Sequence, residues 1–149
     1  MAKILLAEDD EFSRDMLSRR LQRAGHEVIA VADGREALRN ALQQRPDVIL
    51  MDLDMPLMDG GSAMRFLKSD VRTFRIPIIV LTAHASPHDV ATAVADGCQS
   101  FEAKPVVLRR LLERIEEALQ AFPPKKSAAS PLMPNPAAPT APADPDPAP

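Results

Sequence analysis

The feature that most constrains the fold is an alternation of short apolar runs with longer amphipathic segments through residues 1–122. The apolar runs cover residues 4–7, 28–31, 48–51 and 78–81, with a weaker one at 100–103. Isoleucine and valine dominate several of them, and the first, third and fourth are uninterrupted. Continuous apolar runs of this length are typical of strands that are covered on both faces.

The segments between the runs have the apolar spacing of helices. Phe12, Met16, Leu17 and Leu21 form one stripe, and Gly25 follows as a helix stop. Further stripes are predicted at residues 37–42, at Met64, Phe66 and Leu67, at Val90 and Val94 after a first-turn Pro87, and at residues 108–119. Five strand–helix repeats predict an α/β fold, with a parallel sheet between helices on both faces and right-handed crossovers.

Composition narrows the class of protein. The length of 149 residues suits one domain with a real core, and a net charge of -3 offers no basic excess, so we expect no direct nucleic-acid binding. The single cysteine, Cys98, rules out an internal disulfide and fits a reducing compartment. No apolar stretch is long enough to span a bilayer, and acids end the N-terminal apolar run early. We therefore expect a cytoplasmic protein without membrane insertion.

Composition changes sharply after Phe122. Residues 123–149 hold ten of the 15 prolines, mixed with alanine and serine, and contain no glycine. Such a segment cannot bury enough apolar surface to offset its chain entropy. We therefore predict a folded domain over residues 1–122 and a disordered, fairly stiff proline- and alanine-rich tail over 123–149. An inert tail is favoured over a docking motif.

Polar residues of particular kinds follow the predicted strands. The residues are Glu8, Asp9 and Asp10 after the first run, Asp52 after the third, Thr82 after the fourth and Lys104 after the fifth. In open parallel sheets, ligands bind at the carboxyl ends of the strands. We therefore expect these side chains to meet at one rim of the sheet.

These residue types suit phosphoryl chemistry that depends on a divalent cation. Neighbouring carboxylates repel one another, and Mg²⁺, which prefers oxygen ligands, relieves that conflict. A carboxylate beside Mg²⁺ can attack phosphorus and form an aspartyl phosphate. The transferred group then needs positive charge and hydrogen-bond donors, which Lys104 and Thr82 can supply.

Four motifs, "ILLAEDD", "DVILMDLDMPLMDG", "IIVLTAHA" and "FEAKP", resemble the receiver domains of two-component response regulators. The resemblance covers essentially all of residues 1–122. It implies a flavodoxin-like fold with a five-stranded parallel sheet in the order 2-1-3-4-5 and five flanking helices. Since no DNA-binding or catalytic segment follows Phe122, we expect a single-domain receiver, similar to the chemotaxis or DivK-like type.

The resemblance also implies the roles of individual residues in the acidic site. Asp52 is the phosphoacceptor, and a histidine kinase or a phosphotransfer protein is the donor. Glu8 and Asp9 hold Mg²⁺ together with Asp52 and the backbone carbonyl of Asp54. Lys104 is the phosphate partner, and the Lys104–Pro105 peptide bond is expected to be cis.

A phosphorylated receiver passes its signal to another protein. The resemblance makes Thr82 the switch hydroxyl and Phe101 the aromatic residue that changes rotamer with it. The face built from the fourth helix, the fifth strand and the last helix is then repacked to bind a downstream partner. The family positions of Asp54 and His84 tend to tune the lifetime of the phosphoryl group.

Other readings of these residues remain open at this point. Glu8 and Asp9 can cap the following helix, Asp10 serves either that cap or the rim of the site, and Phe101 can be ordinary core. We expect no enzyme beyond the chain's own phosphorylation and dephosphorylation. One alternative is a Mg²⁺-dependent phosphohydrolase that works through an aspartyl phosphate, with Asp54 as its general acid. Another is a passive phosphate sink in a relay.

Overall fold

The computed structural model describes residues 1–55 and 57–123. Strands and helices alternate along them in the order β1 (Lys3–Ala7), α1 (Glu11–Arg23), β2 (Glu27–Val31), α2 (Gly34–Gln44), β3 (Val48–Asp52), α3 (Gly60–Ser69), β4 (Ile78–Thr82), α4 (Pro87–Asp96), β5 (Ser100–Ala103) and α5 (Leu108–Ala121). Apart from Pro123, the predicted tail over residues 123–149 lies outside the described residues. Its boundary and its disorder therefore stay predictions.

The five strands form one parallel sheet in the order β2-β1-β3-β4-β5. The predicted fold class and strand order are confirmed. The first strand lies between β2 and β3, with Ile4 opposite both Val28 and Val48. Every residue of β3 and β4 is buried, as the uninterrupted apolar runs predicted.

Alternate strand residues supply two separate cores, one on each face of the sheet, because successive side chains of a strand point to opposite sides. On one face, α1 and α5 cover a core that includes Ile4, Leu6, Leu50, Ile79 and Leu81. On the other face, α2, α3 and α4 cover a core that includes Leu5, Ile49, Met51, Ile78 and Val80. The sheet is therefore held from both sides.

Three apolar side chains that were predicted on buried helical stripes are instead exposed: Phe12 by 74%, Phe66 by 49% and Val94 by 58%. A helix turns about 100° per residue, so Phe12 lies on the opposite side of α1 from the buried Leu21. The same rotation turns Phe66 away from the buried side of α3. Helix α4 buries only Ala93, among the residues described, and Val94 lies outside that narrow contact.

Among the helices of residues 1–55 and 57–123, none is both long enough and apolar enough to cross a membrane.

Candidate functional site

Strand register brings the predicted polar residues to one edge of the sheet. Asp52 pairs with Leu81 between β3 and β4, and Thr82 pairs with Ala103 between β4 and β5. The strands β1, β3, β4 and β5 therefore end at nearly the same level. The residues at or just after those ends emerge side by side at the carboxyl edge.

Three carboxylates meet at this edge. Glu8, Asp9 and Asp52 each offer one oxygen atom, and these oxygens all lie within 4.8 Å of one another. Glu8 and Asp52 are almost fully buried, with 1% and 3% exposure, whereas Asp9 is exposed. Three converging carboxylate oxygens, one of them open to solvent, fit a hard divalent cation such as Mg²⁺.

Lys104 joins the two buried carboxylates. Its Nζ donates to Glu8 Oε1 at 2.9 Å and to Asp52 Oδ2 at 3.2 Å. Burial alone would lower the pKa of Lys104, but the hydrogen bonds and charges of the two acids outweigh it and raise that pKa. The lysine is therefore charged in this site. The Lys104–Pro105 bond is cis, as the resemblance implied.

The two buried acids differ in their tendency to ionise. Burial raises the pKa of Asp52 to about 6, and the charge of Glu8 adds to this rise. The hydrogen bond from the Asp54 amide and the charge of Lys104 act to lower the same pKa, but they are outweighed. Burial also acts to raise the pKa of Glu8, but hydrogen bonds from Lys104 and from the Asp10 amide outweigh it and hold that pKa below its ordinary value. The negative charge of the pair therefore settles first on Glu8.

Thr82, at the end of β4, is buried and bonded to the next loop. Its Oγ1 accepts from the backbone N–H of His84 at 2.9 Å and donates to the His84 carbonyl at 3.1 Å. The imidazole of His84 lies 3.7 Å from the carboxylate of Asp54, and both side chains are largely exposed. These two residues therefore flank the solvent side of the site.

The loop between β1 and α1 is fixed by the start of the helix. Asp10 is the N-cap of α1, where its Oδ2 accepts from the Ser13 amide at 2.8 Å. Among the roles left open for Asp10, the structure shows the helix cap. Arg14 donates to the carbonyl of Glu8 at 2.9 Å and to that of Asp9 at 3.4 Å. Arg14 was not among the predicted site residues, although its position one turn after the cap places it within reach of the preceding loop.

Helix α3 begins directly against the phosphoacceptor candidate. A Cβ added to Gly60 would clash with the carbonyl oxygen of Asp52 and lie 2.9 Å from Cα of Leu53. Asp59 caps the helix by accepting from the Ser62 amide at 2.8 Å. Glycine is therefore required at position 60 so that the helix can pack against the end of β3.

The contacts of Phe101 and Asp54 do not bear on the roles predicted for these two residues. Phe101 is half-buried and packs against the core under α2, α3 and α4. Asp54 donates its backbone N–H to Asp52 Oδ1 at 3.1 Å, and its side chain is exposed. The rotamer change of Phe101 and the metal-binding role of the Asp54 carbonyl stay predictions.

A third buried acid, Glu102, lies on β5 and is paired with residues of α5. Glu102 is 1% exposed and forms ion pairs with Arg110 at 3.0 Å and with Arg114 at 2.9 Å, both on α5. This ion-pair group was not predicted from the sequence. Two arginines four residues apart lie on one face of a helix, and a glutamate in the strand before them was the available signal.

The fold and the site together define a class of protein, a doubly wound α/β domain with a lysine-bridged acidic cluster at the carboxyl edge of its sheet. The family model of the response regulator receiver domain matches residues 4–116. The chain belongs to this family of two-component signalling proteins. Phosphorylation on an aspartate and Mg²⁺ binding are general features of the family.

Curated relatives include proteins of two different lengths. The chain is 37% identical over 121 residues to the transcriptional regulatory protein PrrA of Mycobacterium leprae, covering 79% of this chain and 50% of that protein. It is 33% identical over 116 residues to the polar-differentiation response regulator DivK of Brucella anthropi, covering 78% of this chain and 94% of that protein. The chain thus spans about half the length of PrrA and nearly all of DivK.

Solved structures show the same fold. The chemotaxis protein CheY4 of Vibrio cholerae aligns with a TM-score of 0.76 at 37% identity, covering 80% of this chain and 99% of that one. The receiver domain of the sensor histidine kinase PA1611 of Pseudomonas aeruginosa aligns with a TM-score of 0.75 at 35% identity, covering 80% and 98%. That second structure has a magnesium ion coordinated in its active site cleft.

Proposed function

We propose that this chain is a phosphorylation-controlled signalling module in which Asp52 accepts a phosphoryl group from a histidine kinase or a phosphotransfer protein. The observation that carries the proposal is the bridge from Lys104 Nζ to Glu8 and Asp52, next to the open carboxylate of Asp9. This arrangement supports the proposal because the lysine charge lies within hydrogen-bonding distance of two carboxylates, and a third carboxylate lies close enough to share a cation with them.

The proposed reaction is an in-line displacement at phosphorus. A carboxylate oxygen of Asp52 forms the new P–O bond, while the bond from phosphorus to the donor nitrogen breaks and the leaving imidazole keeps the electron pair. Lys104 is positioned to stabilise the charge on the phosphoryl oxygens. The Asp54 amide, which already donates to Asp52, orients the attacking carboxylate.

Glu8, Asp9 and Asp52 are the side chains that would hold Mg²⁺, and the carbonyl of Asp54 is proposed as a further ligand. When bound, Mg²⁺ supplies positive charge that offsets the crowded carboxylates and the incoming phosphoryl oxygens. The raised pKa of Asp52 is a property of the metal-free site. A cation beside it favours the ionised form, which is the form able to attack phosphorus.

The proposed output is a change of protein-binding surface. Thr82 would exchange its bonds to His84 for a bond to a phosphoryl oxygen, and Phe101 would follow it. The face that responds is built from α4, β5 and α5, and its proposed partner is a downstream protein. Neither direct nucleic-acid binding nor membrane insertion is part of this proposal.

Receiver domains are signalling modules and in general not classical enzymes. The phosphohydrolase alternative needs Asp54 as a general acid, but its exposed carboxylate faces His84 at 3.7 Å. That contact does not favour the alternative. A passive phosphate sink uses the same site and differs only in lacking a downstream partner.

The proposal is tested by incubating the full chain with acetyl phosphate and Mg²⁺ and measuring intact mass. We expect one added phosphoryl group on the wild type and on Asp10→Asn, and none on Asp52→Ala. Asp10→Asn is the matched control, because asparagine also caps helices and this acid lies outside the three-carboxylate cluster.

An adduct that persists in Asp52→Ala would assign the phosphoryl group to another residue and reject the proposal. Rapid multiple turnover of small phosphate esters would support the phosphohydrolase. A pull-down that captures the same proteins with phosphorylated and unphosphorylated chain would favour the sink over the switch.

A further inference from the structure

A groove of about 490 Å³ lies at the amino edge of the sheet, opposite the acidic site. Its walls come from the turn before β3, the segment before β4 and the end of α5. We call it the amino-edge groove. Its apolar lining includes Pro46, Val71, Ile76, Pro77 and Phe122. Val71 is 83% exposed and Phe122 is 38% exposed, so the groove presents apolar surface to solvent.

The rim of the amino-edge groove is basic. It carries four basic side chains, Lys3, Arg45, Arg72 and Arg75, and one acid, Asp47. Asp70 lies next to the groove and pairs with Arg72 at 2.8 Å. The balance of these charges is positive, so the groove suits an occupant that combines apolar side chains with acidic ones.

The chain itself leads into this groove. Phe122 and Pro123 form part of its wall, and 26 further residues, 124–149, follow from that point. Their only large apolar side chains are Leu132 and Met133, in the sequence Pro-Leu-Met-Pro over residues 131–134. Their only acids are Asp144 and Asp146. The tail therefore has both kinds of group that the groove suits.

The distribution of prolines along the tail sequence is compatible with a reversal of chain direction. Residues 125–130, Lys-Lys-Ser-Ala-Ala-Ser, contain no proline, whereas nine prolines are spread over the other residues from 124 to 149. A proline-free segment can reverse direction, because proline fixes φ and stiffens the chain. The eight residues 124–131 reach at most about 28 Å when fully extended, and they start from Pro123 in the groove wall, so residues 131–134 are within reach of the groove.

We propose that residues 131–134 of the tail dock in the amino-edge groove of the same molecule. Leu132 and Met133 pack against Val71 and Phe122, and Asp144 and Asp146 lie near the arginine-rich rim. This proposal departs from the expectation of an inert tail, because the groove offers apolar and basic surface where the chain leaves the fold. It does not depend on phosphorylation of Asp52.

The experiment uses the full chain with a nitroxide spin label at Ser130→Cys, in a Cys98→Ser background, and measures amide signal intensities by NMR. We expect loss of intensity at the amides of Arg45, Val71 and Arg75. Amides at the carboxyl edge of the sheet should lose little, because the strands separate the two edges. Leu132→Ser/Met133→Ser should restore the lost intensities, whereas the control Ala137→Ser/Ala138→Ser should not.

A second pair of variants tests the groove side. Val71→Asp should also restore the intensities, whereas Val94→Asp, a similar change at an exposed valine on α4, should leave them reduced. Full intensity at Arg45, Val71 and Arg75 in the labelled parent would overturn the proposal. So would equal losses with and without Leu132 and Met133.

A mixture of labelled and unlabelled molecules separates docking within one chain from docking between two. The spin label is carried by molecules without ¹⁵N, and the signals are read from ¹⁵N molecules without the label. We expect no intensity loss in this mixture. Loss at the groove amides would assign the tail to a second copy and overturn docking within one molecule.

Discussion

Asp52 is a carboxylic acid with 3% exposure at the end of a buried strand, so little water remains to stabilise its charge. Its folded pKa of about 6 lies above its ordinary value of 3.8. A group with a raised folded pKa contributes stability that is fully present below its unfolded pKa. That stability is lost as the pH rises through the folded value.

We predict that metal-free wild-type protein loses free energy of unfolding between about pH 4 and pH 6 through this one group, by about 2–3 kcal/mol. Asp52→Asn has no carboxylate to ionise and should lack this component. The variant should therefore become more stable than the wild type as the pH rises towards 7.5. Urea unfolding in EDTA across this pH range measures the difference.

The matched control is Glu117→Gln, which removes an exposed carboxylate on α5. Its stability difference from the wild type should change little over the same range. If the difference between Asp52→Asn and the wild type is also flat with pH, the burial of Asp52 does not raise its pKa in solution.

Single residues of the site differ in how far the sequence could predict them. Asp52, Thr82 and Lys104 were predicted because each lies at or just after the end of an apolar run, where parallel strands place their ligands. The bond from Lys104 to Glu8 joins residues 96 positions apart, and only the assembled sheet shows its geometry. The contacts of Arg14 depend on the entry angle of α1, which local sequence does not determine.

At the scale of secondary structure elements, two neighbouring glycines at the start of α3 have different surroundings. Gly60 packs closely against the end of β3, whereas Gly61 has more space around its Cα. A Cβ on Gly60 meets backbone atoms of β3 and the following loop, which cannot yield easily. A Cβ on Gly61 meets carboxylate oxygens of Asp96 at 3.1 Å and Asp59 at 3.3 Å, which are ends of flexible side chains.

We predict opposite outcomes for alanine at these two positions. Gly60→Ala should destabilise the protein by at least about 2 kcal/mol, because α3 or the Asp52 loop must shift. Gly61→Ala should be neutral or stabilise by up to about 1 kcal/mol, because alanine loses less backbone freedom in a helix. Thermal or urea unfolding compares them directly. Equal destabilisation by both would show that the close approach at Gly60 is not the cause.

The buried Glu102 ties β5 to α5 through two arginines that also reach solvent, with side-chain exposures of 56% for Arg110 and 38% for Arg114. Removing both arginines leaves a buried charge without a partner. Removing the acid leaves arginines that can still be hydrated. Removal of the acid and removal of the two arginines should therefore have different effects on the free energy of unfolding.

We predict that Arg110→Ala/Arg114→Ala destabilises the protein by about 3 kcal/mol, and that adding Glu102→Leu recovers most of the loss. Glu102→Leu alone should cost less than the double arginine variant, since leucine suits a buried strand position. Unfolding free energies of the four proteins form the test. If the triple variant is no more stable than the double, the arginines contribute through packing and not through the charge of Glu102.

The strands were largely predictable, because buried strands appear in the sequence as short apolar runs, and their bounds differ from the predicted ones by at most one residue at each end. The helical stripes marked the helices without giving their ends, since α2 covers Gly34–Gln44 where the stripe covered residues 37–42. Helix faces were less predictable. The stripe in α1 joined Phe12 to Leu21, which lie on opposite sides of the helix, and the structure buries only the second. Spacing limits which residues share a face, but the tertiary contact decides which face is buried.

At the scale of the whole molecule, the five-residue strands β1, β3 and β4 place the acidic cluster at one edge and the amino-edge groove at the other. The proposed metal site is assembled from the first and third strand–helix units, so a bound cation would join parts of the chain that meet only in the folded state. Binding that requires the folded state stabilises it by mass action.

We predict that Mg²⁺ raises the midpoint of thermal unfolding of the full chain, with a stabilisation of about 2.7 kcal/mol once its concentration is 100-fold above the dissociation constant. Asp9→Asn should lose most of this effect, because it removes an oxygen ligand of full charge. Asp10→Asn, one residue further along, should keep it. A shift that is equal in all three proteins would reflect general screening by the salt and not a site.

Thr82 Oγ1 carries one hydrogen, and in this structure that hydrogen goes to the His84 carbonyl while the His84 amide occupies a lone pair. The same atom therefore fastens the β4–α4 loop and is the candidate donor to a phosphoryl oxygen. These two uses exclude each other, since one proton serves one acceptor at a time. Under the proposed function, donation by Thr82 to a phosphoryl oxygen would therefore break its bond to the His84 carbonyl and release the β4–α4 loop.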